Sequence, residues 1–457
     1  MILTITQGVN ICMYKFSEYN LIQKNFDNQY YVYNTLSRKC DLISKQIYDI
    51  FKKRKLDIVL NNSQLLERLV KRGYITTTAQ NEIEYIEYKY NSIVWDAEVL
   101  DLTIVMTHRC NFKCIYCYQH EENDSFDNES ANKIKKFIDK KTRSTAKKVY
   151  INWFGGEPLL ETSKLLELSD YVVQLGRKNS FSYLGRITTN GYLLTQDLFL
   201  KLLNSHIFFY MITIDGIKEY HNKQRPLKNG NGTYDTILQN LREIKKINRT
   251  YSIDIRVNVS NDNYNYIEDF IIKWNGEFGG DSRFHVVFEA VHDWLGDRIN
   301  SHKEQVISDI KLITNIYKLS ERQGAKLQDY LEYNSEVQFC PASKKNGFVI
   351  TNDASVYKCE MAMNDKVYCC ESKIGYIDDM GKIHIDKFKE AKWLTRKENL
   401  TECYKCIAYP FCMGGAKCNY AMKFHRQINC SENIEYLKWM SSLLSKKAKE
   451  IIEIDDL

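Results

Sequence analysis

Proline is nearly missing, at 4 of 457 residues, and glycine stands at 20. Long disordered linkers need more of both, so little room is left for them. No run approaches the roughly 18–20 apolar residues that cross a bilayer. The opening stretch MILTITQGVNICMYKFSEYN has no basic segment leading into an apolar core. Neither a membrane span nor a secretory signal is expected, and the expected location is cytoplasmic. A dominant charge sign is lacking too: 64 Lys and Arg against 58 Asp and Glu leave +6, spread thinly. That suits an acidic peptide partner and argues for neither nucleic acid nor a membrane surface. Cysteine is absent between Cys117 and Cys340, yet the chain holds 14. In a reducing compartment such clustered cysteines read as metal or redox ligands, not disulfides. Isolated Cys12 and Cys40 read as small buried hydrophobes.

The middle of the chain alternates two patterns. Apolar, β-rich runs at 100–106, 148–154, 183–189, 207–214, 252–259 and 283–291 are separated by helical stretches such as YDTILQNLREIKKI. Such alternation predicts βαβ units, a parallel sheet, and an α/β fold in which six units curl into a partial (β/α)6 TIM-like barrel. Its working end is where the strands finish. In SIDIRVNVS, Ile253, Ile255, Val257 and Val259 alternate with Asp254, Arg256 and Asn258. Arg256 and Asn258 therefore share one face, suited to a charged ligand in the lumen. Strand alternation likewise pairs His285 with Glu289, as packing or barrel-lining residues.

Directly after the first run comes THRCNFKCIYCY, spaced C-x3-C-x2-C at Cys110, Cys114 and Cys117. A [4Fe–4S] cube usually takes four thiolates, so three close together leave one iron open. Zinc would more naturally show two C-x2-C pairs or added histidines; His108 and His120 keep that alternative open. These residues, with Tyr116 before the third cysteine, resemble the radical S-adenosylmethionine (SAM) superfamily, and the resemblance spans roughly 100–295. FGGEPLL, with Gly155, Gly156, Glu157 and Pro158, resembles the segment that meets the SAM amino group. TTNGYLL with Asn190, ITIDG with Thr213 and Asp215, HNKQRPL, and RVNVSNDN with Arg256 and Asn258 follow in the family's order. The resemblance implies that Tyr116 and these residues bind SAM, with Glu157 receiving an ammonium and Arg256 pairing a carboxylate. It also implies reductive cleavage of SAM to a 5′-deoxyadenosyl radical that abstracts hydrogen from a substrate.

A second cysteine group reads Cys340, Cys359, CYKCIAYPFCMGGAKC with Cys403, Cys406, Cys412 and Cys418, then Cys430. It resembles a SPASM domain, which carries two auxiliary [4Fe–4S] clusters; a zinc-ribbon-like module is the alternative. By that resemblance Cys403, Cys406, Cys412 and Cys430 hold the outer cluster, and Cys340, Cys359 and Cys418 the inner one. The inner cluster is then one thiolate short. Either Cys369 or Cys370 supplies it, or the site is open to a substrate thiolate. Two departures stand out: Ala416 replaces a usual cysteine, and Ala354 a usual glycine. Residues 28–78 read as short strands, amphipathic helices and a turn at Gly73, similar to the winged-helix-like peptide-recognition element of many peptide maturases.

The expected domains are 1–95 for recognition, 96–300 for the barrel, a bridging helix at 301–335, and 336–457 for auxiliary clusters. The resemblance implies a radical SAM/SPASM maturase of ribosomally made peptides that binds a leader peptide through the N-terminal element. A thioether cross-link leads because the inner cluster has room for a substrate thiol, with a carbon–carbon bond next. An electron donor such as flavodoxin or ferredoxin is implied. The alternatives are a sulfatase-maturating, formylglycine-generating enzyme and a non-catalytic iron–sulfur electron carrier.

Overall fold

A computed structural model describes residues 4–5, 12–291, 301–307, 311–326, 340–364, 369–395, 400–414, 430–448 and 451–453. They fall into two compact units. One joins Trp95–Glu332 to Phe339–Thr395; the other joins Met1–Val94 to Tyr333–Gln338 and Arg396–Leu457.

The first unit is built on six parallel strands: β1 (Val99–Val105), β2 (Lys148–Phe154), β3 (Ser182–Thr189), β4 (Ile207–Thr213), β5 (Ser252–Val259) and β6 (Phe284–Ala290). They lie side by side in chain order, with β1 and β2 paired from Val99↔Lys148 to Val105↔Phe154. β5 and β6 pair from Ile253↔Phe284 to Val259↔Ala290. The alternation in β5 has the consequence expected of a period of two: Ile253, Ile255, Val257 and Val259 are all buried, while Asp254 and Arg256 are half-buried on the other face. The intervening helices present apolar stripes to the sheet. In Tyr234–Lys245 these are Ile237, Leu238, Leu241 and Ile244, spaced as one helix face requires. This is the partial (β/α)6 barrel, with each strand within about a residue of its sequence-derived bounds.

The sheet does not stop at β1. β7 (Gly347–Ile350) pairs parallel to it, from Gly347↔Asp101 to Ile350↔Ile104. β8 (Ser355–Tyr357), β9 (Lys373–Ile377) and β10 (Ile383–Ile385) then continue antiparallel. Unpaired backbone along β1 would need partners, and β7 supplies them. The contiguous 336–457 module expected from the cysteine spacing is thus divided: 340–395 extends the barrel sheet, and the chain beyond Arg396 joins the N-terminal unit. The helix Lys311–Arg322 falls in the expected 301–335 bridge, and its Tyr317 hydroxyl donates to Phe288 O at 3.2 Å on β6.

In the second unit Asn20–Lys24, Tyr30–Asn34 and Cys40–Ile43 form an antiparallel meander, and Ile451–Ile452 adds parallel to Cys40–Ile43. Cys12–Phe16 pairs with Ile75–Thr77. Helices Lys45–Lys52 and Ser63–Lys71 start where the side chains of Ser44 and Asn62 accept from Ile47 N and Leu65 N. Val32, Ile43, Ile47, Phe51, Leu69 and Ile452 share one core. Among the described residues no helix is long and apolar enough to cross a membrane.

Candidate active site and metal centres

The loop after β1 is held from two sides. Lys113 N donates to Pro226 O (2.9 Å), Ile115 N to Gln224 O (3.0 Å) and Lys228 N to Asn111 O (3.1 Å), with a bridge between Phe112 and Leu227. On the other side Gly156 N donates to Thr107 O (2.8 Å) and Glu157 N to Arg109 O (2.9 Å). Backbone lies on backbone there: a Cβ on Gly156 would stand 2.2 Å from Arg109 O, and one on Gly155 2.5 Å from Thr107 O. Gly155 also holds φ at +150°. The two glycines are required because no side chain fits between the loops.

Cys110 and Cys117 are half-buried on this loop and Cys114 is buried. The Phe112 N–H points at Cys110 Sγ (3.4 Å). Burial above all, then the charges of Cys114 and Glu157, push the Cys110 thiol up to about 12. A cationic iron centre is what would draw off that proton. Among the described residues His108, Glu122 and Asp124 bring ligand atoms within 4.8 Å of one another. Three thiols from one loop, spaced C-x3-C-x2-C, fit a [4Fe–4S] cube with one iron left open.

The predicted SAM-binding residues gather at the strand ends in two networks. In one, fully buried Glu157 accepts from Leu159 N (3.0 Å), Thr189 Oγ1 (2.7 Å) and Asn190 N (2.7 Å). Burial raises its pKa, with Asn190, Thr189 and Leu159 opposing. Asn190 Nδ2 reaches back to Asn111 Oδ1 (2.7 Å) on the cysteine loop, and Pro158 opens the following turn. In the other network the Tyr116 hydroxyl donates to Asp215 Oδ2 and accepts from Arg225 (2.7 Å) and Asn258 Nδ2 (3.0 Å). Asp215 Oδ1 accepts from Asn258 N (2.9 Å), and Arg256 Nε donates to Asn258 Oδ1 (3.0 Å). Thr213 ends β4 opposite Arg256. Burial raises the Asp215 and Tyr116 pKa values and keeps His221 well below its ordinary value. His221 is locked between Asp215 N (3.1 Å) and Thr233 Oγ1 (3.0 Å). On β6, His285 lies within 3.4 Å of Asp254 and Glu289 is half-buried opposite Asn258.

Arg225, His221 and Glu360 belong to this region and were not singled out from the sequence. A lone Arg or Lys reads as surface; the signal for Arg225 was its place before Pro226 in HNKQRPL. Glu360 follows Cys359, its carboxyl raised by burial. The helix Glu360–Met363 is tied to the cysteine loop at its C-cap, where His120 N donates to Asn364 Oδ1 (3.2 Å). A carboxyl so held is able to take up a proton.

The remaining cysteines separate. Cys340 opens a tight turn, and Cys359 begins the helix Glu360–Met363. Between them Lys358, fully buried, donates from Nζ to Lys344 O (2.6 Å) and Gly347 O (2.7 Å). Cys359 N meets Ser372 Oγ (3.3 Å), which brings the short helix Cys369–Ser372 alongside. Cys369 and Cys370 lie 3.9 Å apart through sulfur. In the other unit Cys403 and Cys412 sit on two short helical turns, Thr401–Tyr404 and Tyr409–Cys412, with Cys406 between them, and the segment is fastened to the N-terminal part of the unit. Thr35 Oγ1 donates to Ile407 O (2.8 Å), Tyr19 OH to Tyr404 O (3.2 Å), and Tyr409 OH to Glu87. Cys430 starts the helix Cys430–Lys446, while Cys418 and Ala416 lie outside the described residues.

Residues 104–272 match the radical SAM superfamily profile. The chain carries a radical SAM domain, and the cofactors of that family are S-adenosylmethionine and a [4Fe–4S] cluster. Among curated proteins it is 26% identical over 434 residues to the radical SAM cyclopropyl synthase TigE of Paramaledivibacter caminithermalis, covering 86% of this chain and 87% of that one. It is also 26% identical over 346 residues to a cysteine-type anaerobic sulfatase-maturating enzyme of Clostridium novyi, covering 70% and 88%. The solved structure of anSMEcpe with bound AdoMet shares the fold, with a TM-score of 0.58 and 19% identity over 77% of this chain and 96% of that one.

Proposed function

We propose that this radical SAM enzyme acts on a precursor peptide and joins two of its side chains. The observation that carries the reading is in the N-terminal unit. Strand Asn20–Lys24 pairs on one side only among the described residues, with Tyr30–Asn34, while the opposite edge at Cys40–Ile43 is covered by Ile451–Ile452. An extended leader peptide can add to the open edge through backbone hydrogen bonds. The cyclopropyl synthase relative spans more of this chain than the sulfatase-maturating one does, which supports a function that uses the added length.

Cys110, Cys114 and Cys117 would hold the radical cluster, with Tyr116, Glu157, Asn190, Thr213, Asp215, Arg256 and Asn258 around SAM. Bound there, the group supplies a 5′-deoxyadenosyl radical for hydrogen abstraction, and auxiliary clusters supply an electron sink. The protein's part is orientation: Glu157 offers its remaining lone pairs to an ammonium, Arg256 faces a carboxylate, and Glu360 exchanges a proton with substrate. Cys340 and Cys359 would hold an inner cluster with Cys369 as the adjacent thiol, and Cys403, Cys406, Cys412 and Cys430 an outer one. With Cys418 as the third ligand that the resemblance implies, Cys369 is a local fourth thiol and lessens the need for a substrate sulfur. With the cyclopropyl synthase relative, that moves the proposed bond from thioether toward carbon–carbon. Reducing equivalents would come from a flavodoxin or ferredoxin.

The test is anaerobic reconstitution, dithionite reduction and assay of 5′-deoxyadenosine, with a Cys110/Cys114/Cys117→Ala variant beside it. Short peptides encoded next to the gene are then added. Loss of two hydrogens from one of them supports the proposal. The likeness to sulfatase-maturating enzymes favours a second reading. An aldehyde trapped on a cysteine peptide, without cross-linking, would establish that one instead.

A further inference from the structure

We infer that Arg225 is the fixed cation of the radical cluster: it stands opposite Cys114, donates from Nε to a sulfur there, and raises the cluster's reduction potential. The inference rests on Cys110, Cys114 and Cys117 being the cluster's ligands.

Register places the residue. The ladder between the cysteine loop and the following segment runs Phe112 with Leu227, Lys113 with Pro226 and Ile115 with Gln224, so Arg225 faces Cys114. Its backbone is fixed as well, since Arg225 N donates to His221 O (2.8 Å) and its carbonyl accepts from Thr233 Oγ1 (2.7 Å). The side chain is 7% exposed and lies over the Phe112 ring at 5.7 Å.

A guanidinium has five N–H donors and cannot shed its charge. One nitrogen gives a hydrogen bond to the Tyr116 hydroxyl, and through it Arg225 is linked to Asp215. No carboxylate forms an ion pair with Arg225 among the described residues, and Nε–H is buried with no acceptor. Native interiors rarely leave such a donor unpaired without a reason such as a missing ion or cofactor. With no carboxylate paired to it, the opposite charge that the register sets against this cation is the Cys114 thiolate of the cluster. Positive charge and N–H donors next to cluster sulfur favour the reduced state, which holds one more electron.

The experiment uses the reconstituted full chain, with iron counted and the midpoint potential of the SAM-responsive cluster read by EPR-monitored titration. Arg225→Gln is expected to keep its iron and shift the potential negative, so that the fraction reduced at a fixed solution potential falls severalfold. Arg225→Lys keeps the charge and loses the forked donor, and a smaller shift of the same sign is expected. Unchanged potential in an iron-replete Arg225→Gln overturns the proposal. Should Arg225→Gln lose iron, Arg225→Lys decides, and an unshifted potential there overturns it equally. A SAM-responsive signal that survives Cys110/Cys114/Cys117→Ala would show that the ligand assignment had failed, separately from the role of Arg225.

Discussion

Ala354 holds φ at +60°, in the left-handed region where a Cβ costs about 1–2 kcal/mol. Its N–H reaches Thr351 O (2.9 Å) and its carbonyl accepts from Ile377 N (3.0 Å), so the conformation is enforced from both sides. The related SPASM pattern has glycine here, and the departure visible in the sequence is a strained backbone in the structure. Ala354→Gly should stabilise the barrel unit by roughly 1 kcal/mol, less the lost methyl burial, seen as a raised unfolding temperature. Gly156→Ala should do the reverse: its Cβ meets Arg109 O, the cysteine loop must move, and iron binding at Cys110–Cys117 should be lost. Iron retained at the wild-type level would contradict this account. His221 gives a pH signature. Its folded pKa is depressed, so its contribution is intact above the unfolded value of about 6.5 and declines as pH falls, by up to about 1.4 kcal/mol per unit. Asp215 and Glu157, raised by burial, act with the opposite sign. His221→Gln should flatten the fall in unfolding temperature between pH 6.5 and 5.5.

Elements with a strong local period were legible. The six barrel strands declare themselves through alternating or continuous apolar runs, and the cysteine loop through spacing and position. The strands β7 to β10 were not, because pairing β7 to β1 joins residues far apart in the chain and leaves no local pattern. Lys358 shows the same gap at one position: as a buried lysine serving two carbonyls it looks in sequence like any surface lysine. Lys358→Met should cost about 2 kcal/mol by orphaning both acceptors. It should also loosen the turn at Cys340 against Cys359, so the iron count should drop by about four while deoxyadenosine formation persists.

At the scale of the molecule, two units with separate cores should melt in separable steps. Ile452, 1% exposed, belongs to the N-terminal core. Ile452→Asp should lower only that unit's transition, by an amount near 3–4 kcal/mol, and leave the SAM-responsive signal of the barrel in place. A single transition shifted as a whole would show the units to be energetically one. Charge and the radical motif were readable from composition and spacing. The division of the C-terminal cysteines between units was not, since nothing in CYKCIAYPFC announces that its neighbours will be Tyr19 and Thr35.

That division has a consequence for biosynthesis. The strands from Asn20 to Ile43 leave the ribosome before the barrel, yet the turns bearing Cys403, Cys406 and Cys412 and the strand Ile451–Ile452 that complete their unit follow only after everything from Trp95 to Thr395. The radical SAM barrel can close while the N-terminal sheet still lacks its fourth strand. A nascent chain stalled before Arg396 would already display Cys110, Cys114 and Cys117 to the iron–sulfur delivery machinery, while the side of the N-terminal core that Ile452 covers stayed open to chaperones.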